Sequence, residues 1–249
     1  VIVSIMQPAY LPWLGYFDRL ARSDVHIVLD SVPLGHANKQ NFTCRNRVRT
    51  VTGPVWLTVP VQRQHADQRI ADVLVATDHG WMRKHWETVR HAYRRTPHWE
   101  RYAEFLERFY ATPRTHLVDV LDTSTTWLRE TLTITTPIVR SSTLDVPGSK
   151  AELILQLCLA VGATTYLSGP FGRDYLEPAA FEAAGITLEY HDYVHPRYPQ
   201  RDAAFEPYLS VLDLLCHCGA DSLDILRGRA ADPRTLPAAT SAADASPVV

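Results

Sequence analysis

Cysteine is scarce in this 249-residue chain, which has four: Cys44, Cys158, Cys216 and Cys218. They form no C-x-x-C pair and no spaced framework, which excludes a disulfide scaffold and a zinc ribbon. Lysine occurs only at Lys39, Lys84 and Lys150, while arginine and alanine are abundant, as in a GC-rich bacterial genome. A net charge of −2 leaves no excess of one sign, so a nucleic-acid partner is not expected. No apolar run reaches the length of a membrane span, and no basic segment leads into an apolar one near Val1. The expectation is a cytoplasmic protein without membrane contact. The histidines His79, His85, His91, His98 and His116 form no H-E-x-x-H. Cys216-His217-Cys218 lacks a second ligand pair, so no metal is expected. Neither a Walker motif nor a dinucleotide fingerprint occurs, and no cofactor is expected.

What is present is an alternation of short apolar runs and amphipathic stretches. Residues 1–6 are an apolar run suited to a buried strand, which Gln7-Pro8 ends. Trp13, Phe17, Leu20 and Ala21 then fall at helical spacing, and Val25 to Leu29 is a second β-branched run ending at Asp30. A crossover this short joins parallel neighbours. The second half repeats the pattern. Thr136 to Ser141 reads as a strand. Ser149 and Glu152 read as a capping box for a helix from Lys150 to Val161. Thr164 to Leu167 is a strand, Leu176 to Ala184 a helix and Ile186 to Tyr190 a strand. Between the halves, residues 47–50 and 55–61 read as a hairpin and Ile70 to Val75 as a further strand. Three helices follow within residues 81–132, covering one face or edge of the sheet. A helix within Phe205 to Leu215 and a short one at Ser222 to Leu226 close the pattern. The expected fold is α/β, a mostly parallel sheet of Rossmann-like type with an inserted hairpin and helical segment. It forms one domain over residues 1–226, with a flexible Ala/Pro/Ser-rich tail over 227–249.

Ligands in such sheets sit beyond the carboxyl ends of the strands. Gln7, Tyr10 and Asp30 fall there. So does the polar stretch Ser31 to Asn46, with His36, Asn38, Lys39, Gln40, Asn41 and Arg45, which reads either as a site for anionic or sugar oxygens or as a solvated loop. The loop Ser168-Gly169-Pro170-Phe171-Gly172-Arg173-Asp174-Tyr175 could bring backbone amides and Arg173 to an anion, or be a plain turn. The run Tyr190 to Gln200 packs two histidines, three tyrosines and an aspartate into eleven residues. His195 ahead of Pro196 suits a general base, or one structural hydrogen bond in an aromatic loop. Cys44 beside Arg45 is a minor nucleophile candidate.

The stretches IMQPAYLPWLGYFDRLARSDVHIVLD, NRVRT with GPVWLTVPV, GATTYLSGPFGRDYL, and YVHPRYPQ with FEPYLSVLDLL occur together and in order. In this the chain resembles the WbqC-like family of O-antigen and natural-product gene clusters. The resemblance implies a biosynthetic transferase acting on a small metabolite or nucleotide-linked sugar, with acyl or aminoacyl (glycyl-type) transfer. His195 and Asp30 would be catalytic. Gln7, Tyr10, Asn46, Arg47, Lys150, Ser168, Gly169, Gly172, Arg173, Asp174, Tyr175, Tyr198 and Gln200 would bind substrate. A pathway enzyme or carrier is the implied partner beside the small molecule. The alternative is a nucleotide- or ligand-binding pathway protein without catalysis of its own. The opening also resembles nucleotidylyltransferases of the HIGH type, but Trp13-Leu14-Gly15-Tyr16 stands where their two histidines would be.

Overall fold

The computed structural model describes residues 1–35, 42–63, 65, 67–201 and 204–229. His36, Asn38, Lys39, Gln40 and Asn41 of the polar stretch, and the tail from residue 230 onward, lie outside the described residues. Five strands form one parallel sheet: β1 (Ile2–Met6), β2 (Val25–Val28), β5 (Ile138–Arg140), β6 (Thr165–Ser168) and β7 (Thr187–Tyr190). Their spatial order is β5-β2-β1-β6-β7. This is the doubly wound Rossmann-like arrangement, in which the chain first builds outward from β1 in one direction and then in the other.

The two winding directions put helices on both faces. Val3 and Ile5 of β1 pack against Leu153, Ile154, Leu157 and Cys158 of α5 (Lys150–Ala160) and Phe181 of α6 (Pro178–Ala183). The opposite face carries α1 (Leu14–Ala21) through Leu14, Phe17 and Leu20. That second core continues into the antiparallel hairpin β3 (Arg45–Thr50) and β4 (Gly53–Thr58) and the helices α2 (Gly80–Tyr93), α3 (Glu100–Ala111) and α4 (Leu117–Thr131). It closes on α7 (Val211–Cys218) and α8 (Ser222–Leu226). The inserted hairpin and helices are thus an extension of one face of the sheet.

Three local expectations change. Ile70 to Val75 is not a strand but a 3-10 turn at Ile70–Asp72, with single bridges from Leu74 and Val75 to His116 and Val61. Ser149 stands at the N-cap of α5 yet its side chain makes no capping bond, and Lys150 follows in the left-handed region (φ 51°). The helix expected within Phe205 to Leu215, from near Pro207, begins only at Val211, where the Ser210 hydroxyl accepts from the Leu212 amide.

Candidate functional site

The sheet reverses its winding between β1 and β6, so the crevice of a doubly wound fold lies at their carboxyl ends. The ladder between these two strands pairs only Ile2 with Thr165 and Val3 with Tyr166, whereas β1 stays paired with β2 through Met6. Past Val3 and Tyr166 the strands part. Gln7 stands at the end of β1, its side-chain carbonyl accepting from the Thr43 hydroxyl at 3.4 Å. Ser168 and Gly169 stand at the end of β6.

Arg19, from the last turn of α1, enters this gap. A Cβ on Gly169 would lie 2.8 Å from Arg19 Nη2 and 3.1 Å from Nη1, so glycine there lets the guanidinium lie against the backbone. Arg19 Nε is enclosed without a hydrogen-bond partner, while the residue as a whole keeps partial exposure. Among the described residues no carboxylate pairs with it; the Tyr166, Tyr175 and Tyr16 phenols are its neighbours, and burial lowers its pKa. A guanidinium stays ionised under any such shift. A partly desolvated cation without a counter-ion, at the switch point of a Rossmann-like sheet, is suited to a phosphate or carboxylate.

Beside it, Asp18 of α1 is fully buried. His191, the first residue after β7, donates from Nε2 to Asp18 Oδ2 at 2.7 Å, and Arg22 Nε donates to the same oxygen at 2.7 Å. Burial works to raise the Asp18 pKa, but hydrogen bonds and charge from His191 and Arg22 outweigh it and hold the carboxyl below the usual range. The backbone joins the two groups: the His191 amide donates to the Ser168 carbonyl at 2.8 Å. The Tyr193 ring stacks on His191 with centroids 5.5 Å apart. It reaches close enough to α1 that a Cβ on Gly15 would lie 2.9 Å from it.

The residues singled out from the sequence divide sharply. Gln7 follows the end of β1, Ser168 and Gly169 stand at the end of β6, and Tyr175 lies near Arg19. Gly172 packs against Ser168. A Cβ there would lie 2.8 Å from Leu176 Cδ1 and closer still to the Ser168 hydroxyl, and Ser168 is itself buried. Gly172→Ala is therefore expected to cost about 1–3 kcal/mol by overpacking, read from the urea midpoint; an unchanged midpoint would mean that the turn has room.

Arg173 is paired within the protein. Its two terminal nitrogens form a fork with Asp192 at 2.8 and 2.7 Å, and it lies over the Tyr190 ring. The loop amides do not form a cradle. Those of Gly172, Tyr175 and Leu176 bond to the Gly169 and Gly172 carbonyls within a 3-10 turn, Pro170–Asp174. Asp174 and Lys150 are exposed.

His195 is engaged at both nitrogens. Nδ1 donates to the Pro196 carbonyl at 2.8 Å and Nε2 accepts from the Tyr208 amide at 3.2 Å. Burial pushes its pKa down to about 4, and Tyr193, Tyr198, Phe205 and Tyr208 ring it. With its lone pair in use, the imidazole is a fixed neutral bracket for its loop rather than an open base.

Asp30 is equally engaged. It accepts from Ser141 Oγ and the Ser142 amide on Oδ1, and from Ser142 Oγ and Arg140 on Oδ2, at 2.8–3.1 Å. It ties the end of β2 to the end of β5.

The remaining candidates hold the frame. Tyr10 turns into the helical core, where its hydroxyl lies 2.7 Å from that of Tyr110 and 3.0 Å from His85 Nδ1. Asn46 donates to the Leu11 carbonyl at 2.7 Å and so fixes the loop after β1. Arg47 pairs with Glu206 at 3.0 Å. Tyr198 and Gln200 both donate to the buried Asp213 carboxylate, at 3.0 and 2.9 Å. Cys44 is disfavoured as a thiolate, since burial pushes its pKa up to about 12. No cluster of three metal-ligating side chains occurs among the described residues.

A sequence model of the WbqC-like protein family matches residues 7–225. The chain belongs to the WbqC-like family. The match runs from Gln7, just past β1, into α8 and includes both Arg19 and His191. "Uncharacterized protein Rv1507c" of Mycobacterium tuberculosis (strain ATCC 25618 / H37Rv) is 33% identical over 229 residues, covering 90% of this chain and 97% of that one. No solved structure matches the chain. No helix among the described residues is long and apolar enough to cross a membrane.

The family assignment leaves the chemistry to the site itself. Asp18, Arg19 and His191 are its strongest features, and none was singled out from the sequence. Asp18 did leave a signal. It falls at i+4 from Leu14 and i+1 from Phe17, on the inward stripe of α1, where a carboxylate needs a partner.

Proposed function

We propose that this WbqC-like protein is a biosynthetic transferase that takes an anionic small metabolite or nucleotide-linked sugar in the crevice between β1 and β6 and moves an acyl or aminoacyl group. One observation carries the reading: the Arg19 guanidinium lies against Gly169 at the switch point with no carboxylate partner among the described residues. Desolvating a cation is unfavourable unless something returns the loss, and a bound phosphate or carboxylate does so. Gln7 supplies an amide at one wall, and Ser168 and Tyr175 line the other. A carrier or pathway enzyme would deliver the acyl donor.

The assay is a thermal-shift screen against ATP, nucleotide sugars, acyl-CoAs and amino acids, using the wild type, Arg19→Met and Arg173→Met. A ligand at a hundred times its Kd adds about 2.7 kcal/mol. The expected result is a midpoint rise for one anionic class, lost in Arg19→Met and kept in Arg173→Met. Without ligand, Arg19→Met should be as stable as the wild type or more so, by up to about 1 kcal/mol, because an unpaired cation leaves an apolar setting. A rise that survives Arg19→Met and vanishes in Arg173→Met would move the anion site to the 3-10 turn.

A second reading, a nucleotide- or ligand-binding pathway protein without catalysis, is favoured by the full engagement of His195 and Asp30. It predicts the same ligand-dependent rise without turnover of any donor.

A further inference from the structure

His191 differs from the three imidazoles that burial holds neutral. In His26, Nδ1 lies 2.8 Å from Ser4 Oγ and Nε2 3.3 Å from the Tyr16 hydroxyl, in a pocket with no exposure. His85 meets the Tyr10 hydroxyl on one side and the Thr58 backbone on the other. His195 spends both nitrogens on backbone groups. His191 alone of these four is oriented by a carboxylate. Nε2 donates to Asp18 Oδ2, while Nδ1 makes no hydrogen bond among the described residues, and the residue keeps 7 % exposure.

This is the arrangement a general base needs: one nitrogen fixed in its tautomer by a buried carboxylate, the other bare. The supports are rigid. Asp18 is further held by Arg22, Tyr193 stacks on the imidazole, and the His191 amide is bonded to the Ser168 carbonyl. That carbonyl belongs to the peptide that joins Ser168 to Gly169, against which Arg19 lies. Arg19 and the backbone of His191 thus meet the same peptide at the end of β6.

We propose that His191, oriented by Asp18, is the proton acceptor of this site, acting on an amine or hydroxyl of a substrate whose anionic group is held by Arg19. The inference rests on the crevice being the substrate site, as set out under the proposed function. In the step, the acceptor's N–H or O–H bond breaks and its proton moves to Nδ1. Its electron pair forms the new bond to the acyl carbon of an activated donor, a thioester or acyl phosphate. The donor's leaving group departs with its own bonding pair and takes the proton back from Nδ1. The Asp18 carboxylate balances the imidazolium in between.

The test is histidine modification by diethyl pyrocarbonate, mapped by mass spectrometry on the folded protein, since the reagent attacks only a bare, accessible ring nitrogen. The exposed His79 and His91 serve as positive controls and His26 as the negative one. His191 is expected to react at a rate within about tenfold of the controls, and Asp18→Asn is expected to slow it several-fold by releasing the tautomer. Ring-labelled protein read by long-range nitrogen–proton NMR should show His191 with the proton on Nε2. No reaction at His191, or a proton on Nδ1, would overturn the proposal whether or not Asp18→Asn folds. Adding ATP or inorganic phosphate separates the two readings. Protection of His191 in the wild type but not in Arg19→Met supports both. Reaction at His191 without protection by either anion keeps the bare base and removes Arg19 as its anion partner.

Discussion

Asp30→Ala is expected to lower unfolding free energy by about 2–4 kcal/mol, the cost of leaving buried hydrogen-bond donors without their acceptor. Four donors converge on this carboxylate: Ser141 Oγ, the Ser142 amide, Ser142 Oγ and Arg140 Nη1. Ala at this position takes this acceptor from all four at the junction of β2, β5 and the turn after β5. Arg140 would keep Asp122 as its second partner, so the loss falls mainly on the serines and the amide. The backbone adds to the strain of removal, because the Asp30 and Ser31 amides both donate to Ser141 Oγ. Asp30→Asn should cost less, since its carbonyl oxygen still accepts on one side. Urea unfolding of both variants beside Arg173→Ala reads the difference. Arg173 and Asp192 are an exposed pair, and such pairs contribute about 0–1 kcal/mol. Equal, small losses for Asp30→Ala and Arg173→Ala would mean that Asp30 does not clasp the sheet.

Acid should unfold the protein well above the carboxylate range. Burial depresses three histidines, His26 to about 3, His85 to about 4 and His195 to about 4, so each is neutral in the folded protein. In the unfolded chain they titrate near the ordinary value of 6.5. Below that pH the unfolded state binds more protons, so stability falls as the pH drops, and the loss ends only once the pH has passed the folded values. The limiting slope is about 1.4 kcal/mol per pH unit for each histidine, about 4 for the three together. Asp213 opposes this weakly: burial raises its folded pKa, so it gains relative stability as it takes up its proton. Asp18, whose folded pKa is depressed, adds a further loss only as the pH falls through that lower value. The measurement is the urea midpoint at pH 7, 6 and 5. A steep fall is expected, with about a third of the slope removed in His85→Gln. A midpoint independent of pH over this range would show that these imidazoles are not held neutral.

How much of this was legible depended on whether the signal was local. Strand runs such as Ile2 to Met6 and stripes such as Trp13-Phe17-Leu20-Ala21 carry their period in nearby residues, and they form the elements their spacing predicts. The carboxyl edge of the sheet was legible too, because alternation of strand and helix implies a parallel sheet and its binding edge. Ile70 to Val75 misled because its first half winds into a 3-10 turn against α4, and only Leu74 and Val75 make single bridges. Within the site, chemistry-bearing residue types were visible but their partners were not. Arg173 reads as an anion clamp until Asp192 is seen to occupy its fork. His195 reads as a base until the Pro196 carbonyl and Tyr208 amide are seen to take both nitrogens. His191 lies four residues away in the same cluster, and only the fold brings it to Asp18, 173 residues earlier. Arg19 reads as an ordinary helix-surface cation, since only the parting of β1 from β6 gives it a cleft to enter.

The most direct test of the account is a crystal structure with the anionic ligand that gives the largest midpoint rise. The anionic group is expected within hydrogen-bond distance of the Arg19 guanidinium, between Gln7 and Ser168, with the reacting amine or hydroxyl facing His191 Nδ1. A ligand seated on Arg173, or at the His195 loop away from β1, would contradict it.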